Sequence, residues 1–248
     1  MEYCSEGSLQ QMLDKEKVFP ETLVKAYTKQ ILGGLAYLHE NKIVHRDLKC
    51  GNILVDHLGK LKLADFGCSK ILSDSLSRVS QQGTPEFFSP ELIRDEVPKG
   101  YEKSIDIWAL GVVAWELACG RSLWHEPELG WVGTNRFQLM FKIANITSDP
   151  ILPARLKLES LRDFVQCCLR VDPRQRHSVD QLLKHPFLTD KSFHNMRDED
   201  ILTPMESSET KEVVNLLTFG GSDMTGNDKC LESLQGEDSL CRMDSVVL

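Results

Sequence analysis

Residues Ser104 to Cys119, reading SIDIWALGVVAWELAC, are apolar on nearly every side of a helix. A helix with one apolar stripe lies on a surface, whereas one that is apolar all round has to be enclosed by its own protein. The segment therefore predicts a central buried helix with other helices packed about it. Its apolar run is interrupted by Asp106 and Glu116 and falls short of the ~20 residues that span a bilayer, so it reads as core and excludes a membrane span. Asp106 is the exception within this core. A buried carboxylate has to be paired or hydrogen-bonded, so a partner must come from elsewhere in the chain.

Several segments can wrap such a helix. From Glu21 to Asn41, Leu23, Val24, Tyr27, Ile31, Leu32, Leu35 and Leu38 recur at three- and four-residue intervals, which predicts an amphipathic helix with Pro20 in its first turn. Phe137–Ile143, Leu158–Leu169 and Ser178–Leu183 read as further helices, the last opened by a Ser178–Gln181 capping box. NILV and KLKLA, separated by Asp56, His57, Leu58 and Gly59, form a short hairpin. The fold class is mainly α with a small β-hairpin. Between these elements, residues 68–82 are a serine-rich mobile loop, Arg121–Asn135 is a long loop, and the opening MEYCSEGSLQ shows neither cap nor turn.

The composition divides the chain at about residue 188. From Thr189 onward there are 13 acidic and 5 basic residues, so the whole net charge of −8 sits there. Residues 189–248 read as an acidic, Ser-rich, largely disordered tail with a short helix around Glu209–Leu217. Residues 1–188 are balanced in charge, which argues against a nucleic-acid-binding face. The 8 cysteines have no metal-site spacing, and the N-terminus has no basic and apolar leader. Reduced thiols and a cytoplasmic address follow, with the nucleus as the second address.

The candidate chemistry lies between the first long helix and the hairpin, in HRDLKCGN from His45 to Asn52. It holds a carboxylate able to accept a hydroxyl proton (Asp47), a cation (Lys49) and an amide oxygen able to bind a metal (Asn52). Phosphoryl transfer asks for little more than such positioning and charge neutralisation. The second strand ends in Asp65, Phe66 and Gly67. One hairpin separates Asn52 from Asp65, which brings both oxygen donors to the same end, and a magnesium ion prefers such hard ligands.

The octet resembles the H-R-D-L-x-x-x-N catalytic loop of protein kinases. Asp65-Phe66-Gly67, GTPEFFSPE, the Asp106, Trp108 and Gly111 of D-x-W-x-x-G, and Arg176 of DPRQRHS follow in the same order as in that family. Residues 1–188 are thus similar to a partial protein kinase domain, from the hinge to the last helix of the large lobe. The resemblance implies ATP and Mg²⁺ as cofactors. It puts Met1 at the gatekeeper, Glu2 and Cys4 at the adenine-binding hinge, Ser8 near the ribose and Leu54 under adenine. Asp47 is then the proton acceptor, with Lys49 and Thr84 bonded about it, and Asn52 and Asp65 are the metal ligands. Arg46 is the partner of a phosphate on the serine-rich loop, with Ser80 as the main activating site. Glu91 and Arg176 form an anchoring ion pair, Asp106 grips the catalytic-loop backbone, and Ser89 replaces the usual alanine before Pro90 and Glu91.

Lys49 favours Ser/Thr acceptors. FKIA (Phe141–Ala144), LLKHPFL (Leu182–Leu188) and, loosely, KCGN most resemble the MAP kinase kinase kinase group. That implies a MAP kinase kinase as protein substrate and an upstream activating kinase, with neither nucleic acid nor membrane as a partner. The resemblance also implies a large lobe without the N-terminal β lobe, since the 248 residues show no glycine-rich loop, strand lysine or helix glutamate of the small lobe. On that expectation the isolated chain is inactive and poorly soluble. The alternative is a catalytically inactive large-lobe module that binds kinase partners or substrates.

Overall fold

The structure, a computed structural model, describes residues 6–71, 84–129, 131, 135–153, 156, 158–190 and 245–247. Its centre is the apolar helix. α4 (Ser104–Cys119) is buried at every residue except Ala118, and it packs against α2 (Glu21–Glu40) and α6 (Glu159–Cys168). Gly111 makes the approach of α6 possible, because a Cβ there would lie 2.6 Å from Cys168 Cβ. Gly120 ends the helix in the left-handed region at φ 71°, as a C-terminal glycine commonly does.

α2 buries the face that its periodicity predicts, from Leu23 to Leu38. Pro20 is the extended residue just ahead of the helix and not part of its first turn. Besides two helices of four residues, Pro90–Ile93 and Pro186–Thr189, one longer helix was not anticipated. α1 (Leu9–Glu16) is opened by a capping box in which Ser8 accepts from the Gln11 N–H and the Gln11 side chain accepts from the Ser8 N–H. The expectation of an uncapped N-terminal stretch is corrected by this Ser-Leu-Gln-Gln signature, which places Leu9 and Leu13 in the core.

The predicted hairpin is β3 (Ile53–Val55) and β4 (Leu61–Ala64), with Ile53 opposite Leu63 and Val55 opposite Leu61. It is the middle of a four-stranded antiparallel sheet. β1 (Gly7–Ser8) pairs with β3, and β6 (Ser245–Val247) pairs with β4. Part of the segment expected to be a disordered tail is therefore an edge strand. The expected helix around Glu209–Leu217 lies outside the described residues. A second pairing joins β2 (Ile43–Val44) to β5 (Lys70–Ile71), so the serine-rich stretch begins as a strand.

The remaining helices are α3 (Pro90–Ile93), α5 (Arg136–Ala144), α7 (Val179–Leu183) and α8 (Pro186–Thr189). The Ser178–Gln181 capping box is present at α7. The expected long loop after α4 is partly ordered into 3-10 turns at Leu123–His125 and Pro127–Leu129. Tryptophan packing is the cause: Trp124 is fully buried, and Trp108, Trp124 and Trp131 stack in sequence at 6.1 and 5.3 Å. Among the described residues, no helix is long and apolar enough to cross a membrane.

Candidate active site

The buried acid of α4 organises the loop that follows α2. Asp106 accepts from the His45 N–H at 2.9 Å and the Arg46 N–H at 2.8 Å, and it meets His39 Nε2 at 2.8 Å. Burial would raise its pKa. The His39 hydrogen bond and nearby charge, with His45 and the Arg46 N–H, outweigh burial and hold the carboxyl below its ordinary range. Arg46 sits at φ 68°, a conformation that a side chain with a Cβ keeps only when its surroundings enforce it. The two N–H bonds to Asp106 supply that enforcement.

His45 ties the loop to the hairpin. Its Nδ1 accepts from the Asp47 N–H at 3.3 Å, which leaves the ring proton on Nε2 to be donated to the Ala64 carbonyl at 3.2 Å. Burial pushes its pKa down, in keeping with a neutral ring in this role. The imidazole also lies against Phe66, with centroids 5.2 Å apart. Both sides of the site are thereby registered to one side chain.

Asp47 is buried, and its Oδ2 receives Lys49 Nζ at 2.8 Å and Asn52 Nδ2 at 2.9 Å. Among the described residues, Oδ1 has no hydrogen-bond donor. The Asn52 Nδ2 also donates to the Asp47 carbonyl at 2.9 Å. Both of its partners are acceptors, so the amide must present its nitrogen to them and turn its oxygen away. The register of Ile53 opposite Leu63 brings Asn52 and Asp65 to one end of the hairpin. Asp65 is exposed, at φ 64°, and accepts a long 3.4 Å bond from the Gly67 N–H. An open amide oxygen and an open carboxylate make a donor set that fits a hard divalent cation.

Beside this lies a cavity of about 430 Å³ lined in part by Lys49, Gly51, Thr84, Glu86, Glu116 and Arg121. Thr84 reaches the cavity but makes no hydrogen bond to Asp47 or Lys49 among the described residues, so the contact implied for it is not made. It stands instead at the head of the 3-10 turn Pro85–Phe87, while Lys49 binds Asp47 directly. Glu116, seen in the sequence only as an interruption, forms part of the wall. Burial pushes its pKa up to about 8, and the Cys50 thiol donates to it at 3.6 Å. Further along, Arg176 holds Glu91 through two bonds of 2.7 and 3.2 Å, with both side chains buried.

The remaining expected site residues are placed as follows. Glu2, Cys4 and Ser80 lie outside the described residues. Ser8 caps α1 and pairs with Leu54, which is half-buried in β3. Among the described residues, the buried Arg46 Nε has no hydrogen-bond partner. The residues that sequence reasoning missed are His45, whose two ring nitrogens bridge loop and strand, and Glu116.

The protein kinase domain family matches residues 1–188. The chain is 42% identical over 189 residues to mitogen-activated protein kinase kinase kinase A of Dictyostelium discoideum, covering 76% of this chain and 19% of that protein. It is 36% identical over 241 residues to mitogen-activated protein kinase kinase kinase YODA of Arabidopsis thaliana, covering 96% and 25%. To mitogen-activated protein kinase kinase kinase 1 of Mus musculus it is 37% identical over 192 residues, covering 75% and 12%. The chain thus spans a quarter or less of the length of these three curated relatives.

Proposed function

The chain belongs to the protein kinase family, and we propose that it acts as a serine/threonine protein kinase in a MAP kinase cascade, transferring the γ-phosphate of ATP to a substrate hydroxyl. The observation that carries this reading is the Asp47 carboxylate, fixed at Oδ2 by Lys49 and Asn52 with Oδ1 open. Oδ1 accepts the substrate hydroxyl proton as that oxygen bonds to the γ-phosphorus. The bond from the phosphorus to the β–γ bridging oxygen breaks, and ADP leaves with the electron pair. Lys49 stands beside the developing phosphoryl charge. Asn52 and Asp65 would hold magnesium, which when bound offsets charge on the phosphates.

The names of the relatives support a MAP kinase kinase as the protein substrate. The unpartnered Nε of Arg46 supports its pairing with a phosphate placed on Ser80 by an upstream kinase. The free thiols among the described cysteines support a cytoplasmic address.

Asp47→Asn tests the central assignment. With labelled ATP and a MAP kinase kinase as acceptor, the variant should transfer label roughly a thousandfold more slowly at an unchanged melting temperature. Transfer within twofold of the unmodified chain overturns the role of Asp47.

A further inference from the structure

The turn Thr84–Phe87 lies on the wall of the 430 Å³ cavity with Lys49, the wall that an incoming hydroxyl would meet on the kinase reading. A short turn of this kind needs an anchor to hold a fixed position. One anchor is Glu91, four residues beyond the turn, bound by Arg176. We propose that Trp124 is the second anchor, a positioning residue that sets the height of the Thr84–Phe87 turn for the incoming hydroxyl through a hydrogen bond to the Glu86 carbonyl. For catalysis, this inference rests on the kinase reading above.

The Trp124 Nε1–H donates to the Glu86 carbonyl at 2.6 Å, across 38 residues of sequence. The indole that makes this bond is restrained from several sides. It is fully buried and stacked between Trp108 (interplanar angle 15°) and Trp131 (14°). Its 3-10 turn, Leu123–His125, is flanked by Arg121 and Glu126, joined by two bonds of 2.7 and 2.6 Å, with Glu126 fully buried. A donor on so rigid a support transmits its own position to its acceptor.

The two anchors are also in contact. The Arg176 guanidinium lies 5.1 Å from the Trp108 ring centroid, and Trp108 stacks on Trp124. Glu86 and Glu91 therefore hang from one continuous stack, Arg176–Trp108–Trp124. Phe87, between them, donates its N–H to Thr84 and is buried. Displacing the indole would move the cavity wall while leaving in place Asp47, tied to His45, and Asn52, tied to Asp47.

Trp124→Phe keeps an aromatic ring in the stack and removes the donor. In the 1–248 chain, amide exchange at Phe87 and Phe88 should quicken roughly five- to tenfold, the loss of one neutral hydrogen bond, with the α4 amides unchanged. In the unmodified chain the Trp124 indole proton should exchange slowly. Unchanged exchange at Phe87 and Phe88, an equal rise across α4, or an indole proton exchanging as fast as free indole would each overturn the anchor. With casein as a generic acceptor, the variant should raise the KM for casein about fivefold and leave the KM for ATP within twofold. An equal change in both KM values overturns the specific role on the acceptor side. The exchange measurement needs no turnover, so it decides the anchor separately from the kinase reading.

Discussion

The two ends of α4 each bury an acid, and the two acids have opposite fates. Asp106, in the first turn, is surrounded by donors: two backbone N–H groups and the His39 ring. Its pKa is lowered in spite of complete burial. Glu116, near the far end, has the weak Cys50 thiol as its donor and Glu86 as a nearby like charge, and burial carries its pKa up to about 8. The helix is the same and the exposure nearly so. The difference is the number of N–H groups aimed at each carboxylate, which decides whether burial costs the ion or is offset. Asp106 is thus a carboxylate clamp for the loop carrying Asp47, and Glu116 is a carboxyl that burial biases toward its protonated form, in the wall of the cavity beside Lys49.

Removing the clamp should have the largest effect. Asp106→Ala leaves the His45 and Arg46 N–H groups buried without an acceptor and frees Arg46 from its enforced φ of 68°. A loss on the order of 4 kcal/mol is expected in urea denaturation, with phosphate transfer lost as well. The pH dependence has a definite sign. A carboxyl held below its ordinary pKa stabilises the fold above the unfolded value, near 3.8, and loses that contribution as pH falls through the folded value. Unmodified protein should therefore lose stability below about pH 4, and this acid limb should be flatter in Asp106→Ala. A variant as stable as the parent would remove the contrast between the two acids.

Glu116 should respond in the other direction. Its folded pKa of about 8 lies above the ordinary carboxyl value of 4.5, so the folded state binds the extra proton between those values. Its stabilising contribution is complete below about pH 4.5 and is lost as pH rises through about 8. Glu116→Gln keeps the shape and cannot ionise. Relative to the parent, it should gain stability from pH 5.5 to pH 8.5, by an amount on the order of 3 kcal/mol. Denaturation of both proteins at the two pH values checks this, and a constant difference would mean that Glu116 is already ionised at neutral pH.

The contrast explains which parts were legible in the sequence. A central helix, the amphipathic α2, the hairpin and the α7 capping box follow from local periodicity and spacing, and the structure contains all of them. Asp106 could be recognised as needing a partner because a charge in the first turn of an apolar helix is conspicuous. Its sister Glu116 interrupts the same run, but its donor, Cys50, is 66 residues away, and no spacing rule reports how few donors a fold will supply. Trp124 was read as part of a loop because its order comes from stacking with Trp108 and Trp131. Likewise β6 and β5 are strands of three and two residues, too short for a period and defined by pairing alone. The cap at Ser8 was the avoidable miss: its box is written in four consecutive residues, Ser8 to Gln11, at the end of an opening stretch that had been read as having neither cap nor turn.

The smallest effect tests the mechanism behind the contrast. If donor strength separates the two acids, a better donor at position 50 should move Glu116 toward the behaviour of Asp106. Cys50 is fully buried, and burial raises its own pKa well above the ordinary thiol range, so it meets Glu116 as a neutral, weak donor. Cys50→Ser replaces it with a hydroxyl of nearly the same shape that donates a shorter, charge-assisted bond to the ionised carboxylate. The Glu116 pKa should fall, and part of the stability lost toward pH 8.5 should return, by about 1 kcal/mol. At pH 5.5, where Glu116 is protonated in the fold, the serine should give no such gain. The reading is the difference between the two pH values, which cancels any packing cost of the substitution itself. Equal effects at both would assign the raised pKa to burial alone, with the donor playing no part.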